Sequence, residues 1–149
     1  VKRIIPLLIA PAHILGACAK LQENRVINKK WHVEALYLNG NESVNAFLDL
    51  LPLYVDDGSC RYEMDFQKNN RCIGYYKRND SLIYEMEGTW DFLEKDCMYI
   101  SVDLAVHGDY EFREIGGGRY RLSSQNNNLI LPGSEPIPAP AVLITKTFK

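Results

Sequence analysis

The sequence predicts an all-β fold: an antiparallel up-and-down barrel of about eight strands, with one short helix in the first long connection. Three observations carry this expectation. From residue 31 onward apolar and polar residues alternate with a period of two rather than about 3.6. Clusters of Asn, Asp and Gly separate the alternating runs at short intervals. The chain has 149 residues, 46% hydrophobic and 24% charged, which is one domain's worth and enough to bury a core. Strands with one apolar and one charged face belong to an antiparallel sheet wetted on one side. About eight of them in up-and-down order can close on themselves, which removes exposed edges.

The N-terminal elements are of a different kind. Lys2 and Arg3 precede the run IIPLLIAPAHILGA, fourteen residues from Ile4 to Ala17, apolar except for His13. That length suits the core of a secretory signal and falls short of the roughly 20 residues of a membrane-spanning helix. Pro6, Pro11 and His13 also make it a poor permanent helix. Leu15, Gly16 and Ala17 before Cys18 resemble the lipobox of bacterial lipoproteins, in which the thiol takes a diacylglyceryl group and a peptidase that fits small side chains cuts just before it. The resemblance implies a signal peptide over 1–17, palmitate-type acylation at Cys18, and a tether over 18–28 ahead of a barrel domain over 29–149. A cleaved secretory signal with an incidental Cys18, or a buried strand, is the alternative reading. A cut before Cys18 leaves fifteen basic against nineteen acidic residues, a formal charge of −4 in place of −2. No aspartate follows Cys18 to retain the protein at the inner membrane, and no dense acidic run marks it for the cell surface. The expected location is therefore the periplasmic face of a Gram-negative outer membrane.

The mature chain opens with the strand WHVEALYL and the turn NGN at 39–41. The connection NESVNAFLDLLPLYVDDGS is too long for a hairpin and too apolar for a solvated loop. Phe47, Leu48, Leu50 and Leu51 suit one amphipathic helix that ends before Pro52 and caps the barrel mouth. CRYEMDF sets Cys60, Tyr62, Met64 and Phe66 against Arg61, Glu63 and Asp65. Turns are expected at KNN (68–70) and RND (78–80). YEMEGTWDF then sets Tyr84, Met86, Trp90 and Phe92 against Glu85, Glu87 and Asp91. After EKD at 94–96, MYISVDLAV places Met98, Ile100, Val102, Leu104 and Val106 together, and a turn is expected at HGD, 107–109. YEFREI and RYRLSS flank GGG at 116–118. PGSEP at 132–136 is the last turn signal, within LPGSEPIPAPA, which carries four of the seven prolines and reads as a stiff extended connector into AVLITKTF.

Trp31 opening the first strand, the long apolar first loop, GTW at 88–90 and ITKTF at 144–148 together resemble the lipocalin-like domain of small lipoproteins of Gram-negative bacteria. The resemblance runs from about Trp31 to Phe148. It departs at Lys29, where lipocalins usually carry glycine two residues before the tryptophan. It implies an eight-stranded meander barrel that binds a small apolar ligand.

The residues offer little catalytic chemistry. His32 and His107 sit beside strands as surface residues, and zinc-binding and nucleophile-elbow spacings are absent. Asp56, Asp57 and Gly58 lack the other ligands of a calcium loop. Glu85 and Glu87 share a solvated sheet face. No metal or cofactor is implied, and a pI near 5.9 without a basic run excludes a nucleic-acid binder that relies on bulk charge. Cys60 and Cys72 fall several residues out of register, which disfavours a disulfide between them. Trp31, Tyr37, Tyr62, Met64, Phe66, Tyr84, Met86, Trp90 and Phe92 are assigned to the interior. Phe47, Leu51, Tyr62, Met64, Tyr84 and Trp90 are the candidate ligand-binding residues, around a small pocket near one mouth. Two functions follow: a non-enzymatic carrier of a small hydrophobic molecule, or a lipid-tethered protein–protein interaction module of an envelope complex, with a barrel filled by side chains.

Overall fold

A computed structural model describes residues 23–27, 29–42, 59–102 and 104–148. The signal segment 1–17, Cys18, and the helix expected around Phe47 and Leu51 lie outside the described residues. The strands are β1 (Lys30–Leu38), β2 (Asn41–Glu42), β3 (Cys60–Phe66), β4 (Arg71–Arg78), β5 (Ser81–Glu94), β6 (Cys97–Val102), β7 (Val106–Gly116), β8 (Arg119–Ser124), β9 (Asn128–Leu129), β10 (Ile137–Pro138) and β11 (Ala141–Phe148). Strands β1, β3–β8 and β11 form the expected closed eight-stranded antiparallel barrel. Neighbours in sequence pair as a meander, and β1 closes the circle on β11 from Lys30↔Phe148 to Leu38↔Ala141.

Local chemistry makes the hairpins. Asn79 and Asp80 both adopt positive φ, 47° and 65°, in the two-residue loop between β4 and β5. Such loops match the twist of the strands they join, and Asn and Asp tolerate that conformation best after glycine. Asn69, Asn70 and Asp96 do the same at the neighbouring turns.

One expected turn is wrong. HGD at 107–109 lies inside β7, and β6 ends at Val102, which pairs with Val106 across a tight connection containing Leu104 and Ala105. MYISVDLAV is therefore two strands and a turn whose apolar residues happen to keep the same spacing. Gly108 serves close approach instead of a bend: a Cβ there would stand 2.7 Å from Ser124 Oγ and 2.9 Å from Asn127 Cα.

A bulge corrects the assignment of Tyr37. In the β1–β11 ladder Val33 pairs with Thr145 and Ala35 with Ile144, which leaves Glu34 as the extra residue. The bulge reverses the alternation. Trp31 and Val33 point inward before it and Leu36 after it, so Tyr37 turns outward and is only half-buried. Glu34, on the outer wall, accepts from Arg119 Nε at 2.8 Å and Nη2 at 3.2 Å, and that hydrogen bonding holds its carboxyl below the usual carboxylate range.

The barrel has two unlike ends. At one end Trp31 meets Phe66, Phe112 and Tyr120 at ring-centroid distances of 5.8, 5.7 and 4.8 Å, and Phe66 meets Trp90 at 5.6 Å. A helical turn over residues 23–26 covers this end, where Trp31 Nε1 donates to Val26 O at 3.0 Å. Val26 and Ile27, within the expected tether, thus belong to the core. At the opposite end β1, β4, β6 and β8 finish and β3, β5, β7 and β11 begin.

Asn127 organises the connection between β8 and β11. Its Nδ2 donates to Ala105 O and Ala139 O, both at 2.9 Å. Its Oδ1 accepts from His107 N at 2.8 Å and from the Tyr110 hydroxyl at 2.6 Å. The amide's four hydrogen-bonding positions are filled, and the residue is buried. The proline-rich stretch is anchored through it, and Ile137–Pro138 pairs with Asn128–Leu129 as a small ribbon in addition to serving as the expected connector. Asn127→Ala removes a hydrogen-bond partner from four polar groups, and each group left buried and unpaired costs about 1–3 kcal/mol. We expect a loss of at least about 3 kcal/mol in urea unfolding; a loss under about 1 kcal/mol would contradict this role.

Candidate functional site

The end opposite Trp31 carries inward-facing side chains with both apolar and hydrogen-bonding surface. Tyr62 pairs with Tyr76 across β3 and β4, and Tyr76 with Tyr84 across β4 and β5, which gives a row of three tyrosines. One step deeper the row is Met64, Gly74 and Met86. Gly74 makes room for the ring above it: a Cβ there would meet the Tyr62 hydroxyl at 2.6 Å. Cys60 Sγ lies 3.0 Å from the Tyr76 hydroxyl. Phenols, a thiol and thioethers thus meet on one wall of this end, with Tyr62, Tyr76 and Met64 buried and Tyr84 exposed.

The outer side of the same wall is fastened by ion pairs. Lys77 Nζ meets Glu63 Oε2 at 2.7 Å, Arg71 Nε meets Glu87 Oε1 at 2.8 Å, and Arg61 pairs with Asp80. Strand β5 extends beyond its neighbour here. It pairs with β4 from Ser81 to Thr89 but with β6 only from Thr89 to Glu94. Leu82 and Tyr84, on the extension, are 51% and 42% exposed.

The structure divides the predicted ligand-binding residues. Tyr62, Met64 and Tyr84 lie on this wall, with Tyr84 at its exposed margin. Phe47 and Leu51 lie outside the described residues. Trp90 does not belong to the mouth. It sits six residues further along β5, roughly 20 Å away, in the aromatic cluster of the closed end, where its Nε1 donates to Gln67 O at 2.9 Å. Tyr84 also corrects the interior assignment, because it is partly open to solvent instead of enclosed.

Sequence reasoning missed Tyr76, because RCIGYYKR has adjacent tyrosines and no clean alternation. It also missed Ser101 and His107, which meet across the β6–β7 hairpin with Ser101 Oγ 2.8 Å from His107 Nδ1. The signal lay hidden because HGD reads as a turn.

Burial holds the His32 imidazole below its ordinary pKa, against the opposing pull of Glu63 and Glu34. Burial likewise raises the Cys97 thiol, and Asp109, Glu94 and Glu111 add to the shift, so it is protonated at neutral pH and a weak nucleophile. Cys60 stands opposite Arg78 and Cys72 opposite Phe66, six positions apart along β3, so these two are not bonded to each other. Among the described residues no three His, Cys, Asp or Glu side chains gather as a metal site, and no helix is long and apolar enough to cross a membrane. Compared with known proteins, the chain matches no protein-family model, no curated protein sequence and no solved structure.

Proposed function

We propose that this chain is a non-enzymatic lipoprotein of the Gram-negative outer membrane, acylated at Cys18 and facing the periplasm, whose lipocalin-like barrel binds a small amphiphile at its tyrosine-lined end. The row Tyr62, Tyr76, Tyr84 carries the reading. Tyr84 stands exposed at the margin, with Tyr62 and Tyr76 buried behind it beside Met64 and Met86, so phenols and thioethers share the inner face of this end, the mixture of polar and apolar groups that small-molecule sites use. The opposite end is filled by aromatic rings, which makes this end the supported entrance. The anchor rests on Leu15, Gly16, Ala17 and Cys18 in lipobox order.

The test is mass spectrometry of protein extracted from membranes. Wild type is expected at the mass of a chain cut before Cys18 plus acyl groups, and Cys18→Ser without them. An unmodified wild-type mass would overturn the anchor. Native spectra are expected to show a co-purified amphiphile, depleted several-fold in the Tyr62→Phe, Tyr76→Phe double variant, which keeps both rings and removes both hydroxyls. Wild type free of any small molecule would overturn the binding.

The margin of β5 favours a second reading. Over Ser81–Gly88, β5 pairs only with β4 among the described residues, and Leu82 and Tyr84 are exposed there. An unpaired strand edge with apolar side chains is a template for another chain. Crosslinks from these positions to envelope proteins, with no small molecule bound, would favour the interaction module.

A further inference from the structure

We propose that the outer wall of the barrel carries a second binding site, separate from the tyrosine-lined end, for a zwitterionic phosphoester of the phosphorylethanolamine kind. The site is a recess of about 270 Å³ between β7 and β8, lined by Glu111, Arg113, Arg121 and Ser123.

The four side chains form a square. Arg113 stands directly opposite Arg121, and Glu111 directly opposite Ser123. All four point outward, because Tyr110, Phe112, Tyr120 and Leu122 take the interior positions between them. Like charges placed opposite each other on adjacent strands repel, so the arginine pair is an unfavourable arrangement for the empty barrel. Its own surroundings do little to relieve it. Arg113 reaches Glu111 on its own strand at 3.5 Å, a long contact, with both side chains well exposed. Arg121 has no ion pair among the described residues, and its Nε donates to Ser123 Oγ at 3.3 Å. On the far side of β8, Ile144 faces Arg121 and Val142 faces Ser123, and neither supplies a charge. Arg119, next outward on β8, is already held by Glu34. The contrast with Arg71, whose Nε and Nη2 contact the two Glu87 carboxylate oxygens at 2.8 and 3.2 Å, is direct.

Two guanidinium groups and a hydroxyl around one recess are the donors that a phosphate accepts from, in the paired geometry that arginine supplies. Glu111 decides the rest of the ligand. A carboxylate in the lining opposes a plain anion but suits a ligand with a cationic end. Outward residues two apart on a strand are about 6–7 Å from each other, a spacing that an ethanolamine phosphate can bridge with phosphate on the arginines and ammonium on Glu111. The same chemistry occurs in a soluble phosphoester and in a lipid headgroup.

The experiment uses the full chain and two probes: phosphorylethanolamine followed by NMR titration, and vesicles of phosphatidylethanolamine in phosphatidylcholine compared with phosphatidylcholine alone. Binding of the soluble probe, weakened about tenfold or more by Arg121→Gln, supports the site with a soluble ligand. Binding only to the phosphatidylethanolamine vesicles, lost in the same variant, supports it with a membrane source. Glu111→Gln supplies the discriminating sign. It is expected to weaken phosphorylethanolamine and to strengthen inorganic phosphate, since Arg113 is released from its carboxylate. Arg71→Gln, on another wall, is expected to change neither, and circular dichroism reports whether each variant is folded. Absence of binding to both probes, binding unchanged in Arg121→Gln, equal binding to phosphatidylcholine alone, or an equal shift of both phosphates in Glu111→Gln would each overturn the proposal.

Discussion

Gly88→Ala is expected to lower the thermal midpoint by about 10 °C or more, or to abolish soluble expression. The cause is contact with backbone. A Cβ at Gly88 would lie 1.9 Å from Ser101 O and 2.9 Å from both Ser101 C and Val102 Cα, all on β6. Backbone can only withdraw by moving its strand. Gly88 also marks the place where β5 passes from pairing with β4 to pairing with β6, which is a corner that a glycine allows a long strand to turn. Opening this seam forfeits ladder hydrogen bonds and the packing of Trp90, Ile100 and Val102 beneath it, a cost above about 3 kcal/mol. Gly74→Ala is the internal comparison. Its obstacle is one side chain, Tyr62, whose ring can shift. The loss there should be clearly smaller. Because Gly88→Ala can fail to fold altogether, Thr89→Ala, one residue away on the outer face, shows whether the strand tolerates change in general. A Gly88→Ala midpoint within a few degrees of wild type would refute the account.

The fold was legible where alternation was regular. CRYEMDF became β3 with its apolar residues inward and its charged residues outward, because nothing interrupts its pairing with β4. Legibility failed where the backbone breaks the period. The Glu34 bulge turned Tyr37 outward, and no residue in WHVEALYL announces it, since the cause lies in the register against β11, more than a hundred residues away. At 107–109 glycine resembles a turn signal, whereas its reason is the approach of Ser124 and Asn127 from a distant connection. Tertiary contacts of that kind leave no local mark.

The candidate sites follow the same division. Tyr62, Met64 and Tyr84 could be placed on one face from period-two spacing alone, yet their distribution between core and mouth depends on how far each strand projects past its neighbour. Trp90 shares their face but lies too far along β5 to share their site. The Arg113 and Arg121 pair is eight residues apart in sequence and meets because the loop at Gly117 and Gly118 and the extra residue Ile115 together set the β7–β8 register. A single residue of slip would separate the two guanidiniums and move one of them to the opposite face.

Trp31→Ala is expected to cost about 3–5 kcal/mol, the range for deleting a large buried aromatic. The ring is wholly enclosed and contacts Phe66, Phe112 and Tyr120, from three other strands. Such aromatic pairs contribute about 0.5–1.5 kcal/mol each beyond area burial. The indole also ties down the helical turn over the closed end: its Nε1 holds Val26 O, the last residue of that turn, beside the longer 3.9 Å contact of Arg25 with Glu114. Trp31→Phe separates the two roles. It retains an aromatic ring, removes the donor, and is expected to cost about 1–2 kcal/mol. In that variant the amide of Ile27, bonded to Glu23 O at 3.0 Å, should exchange its hydrogen faster, while amides of the β3–β4 ladder should not change. Faster exchange confined to the turn would establish Trp31 as its clasp. Uniform acceleration would mean that the indole contributes only core volume. A loss under about 1 kcal/mol in Trp31→Ala would mean that neighbouring rings refill the space. The closed end would then be a deformable plug, and the proposed ligand could enter the barrel from either end.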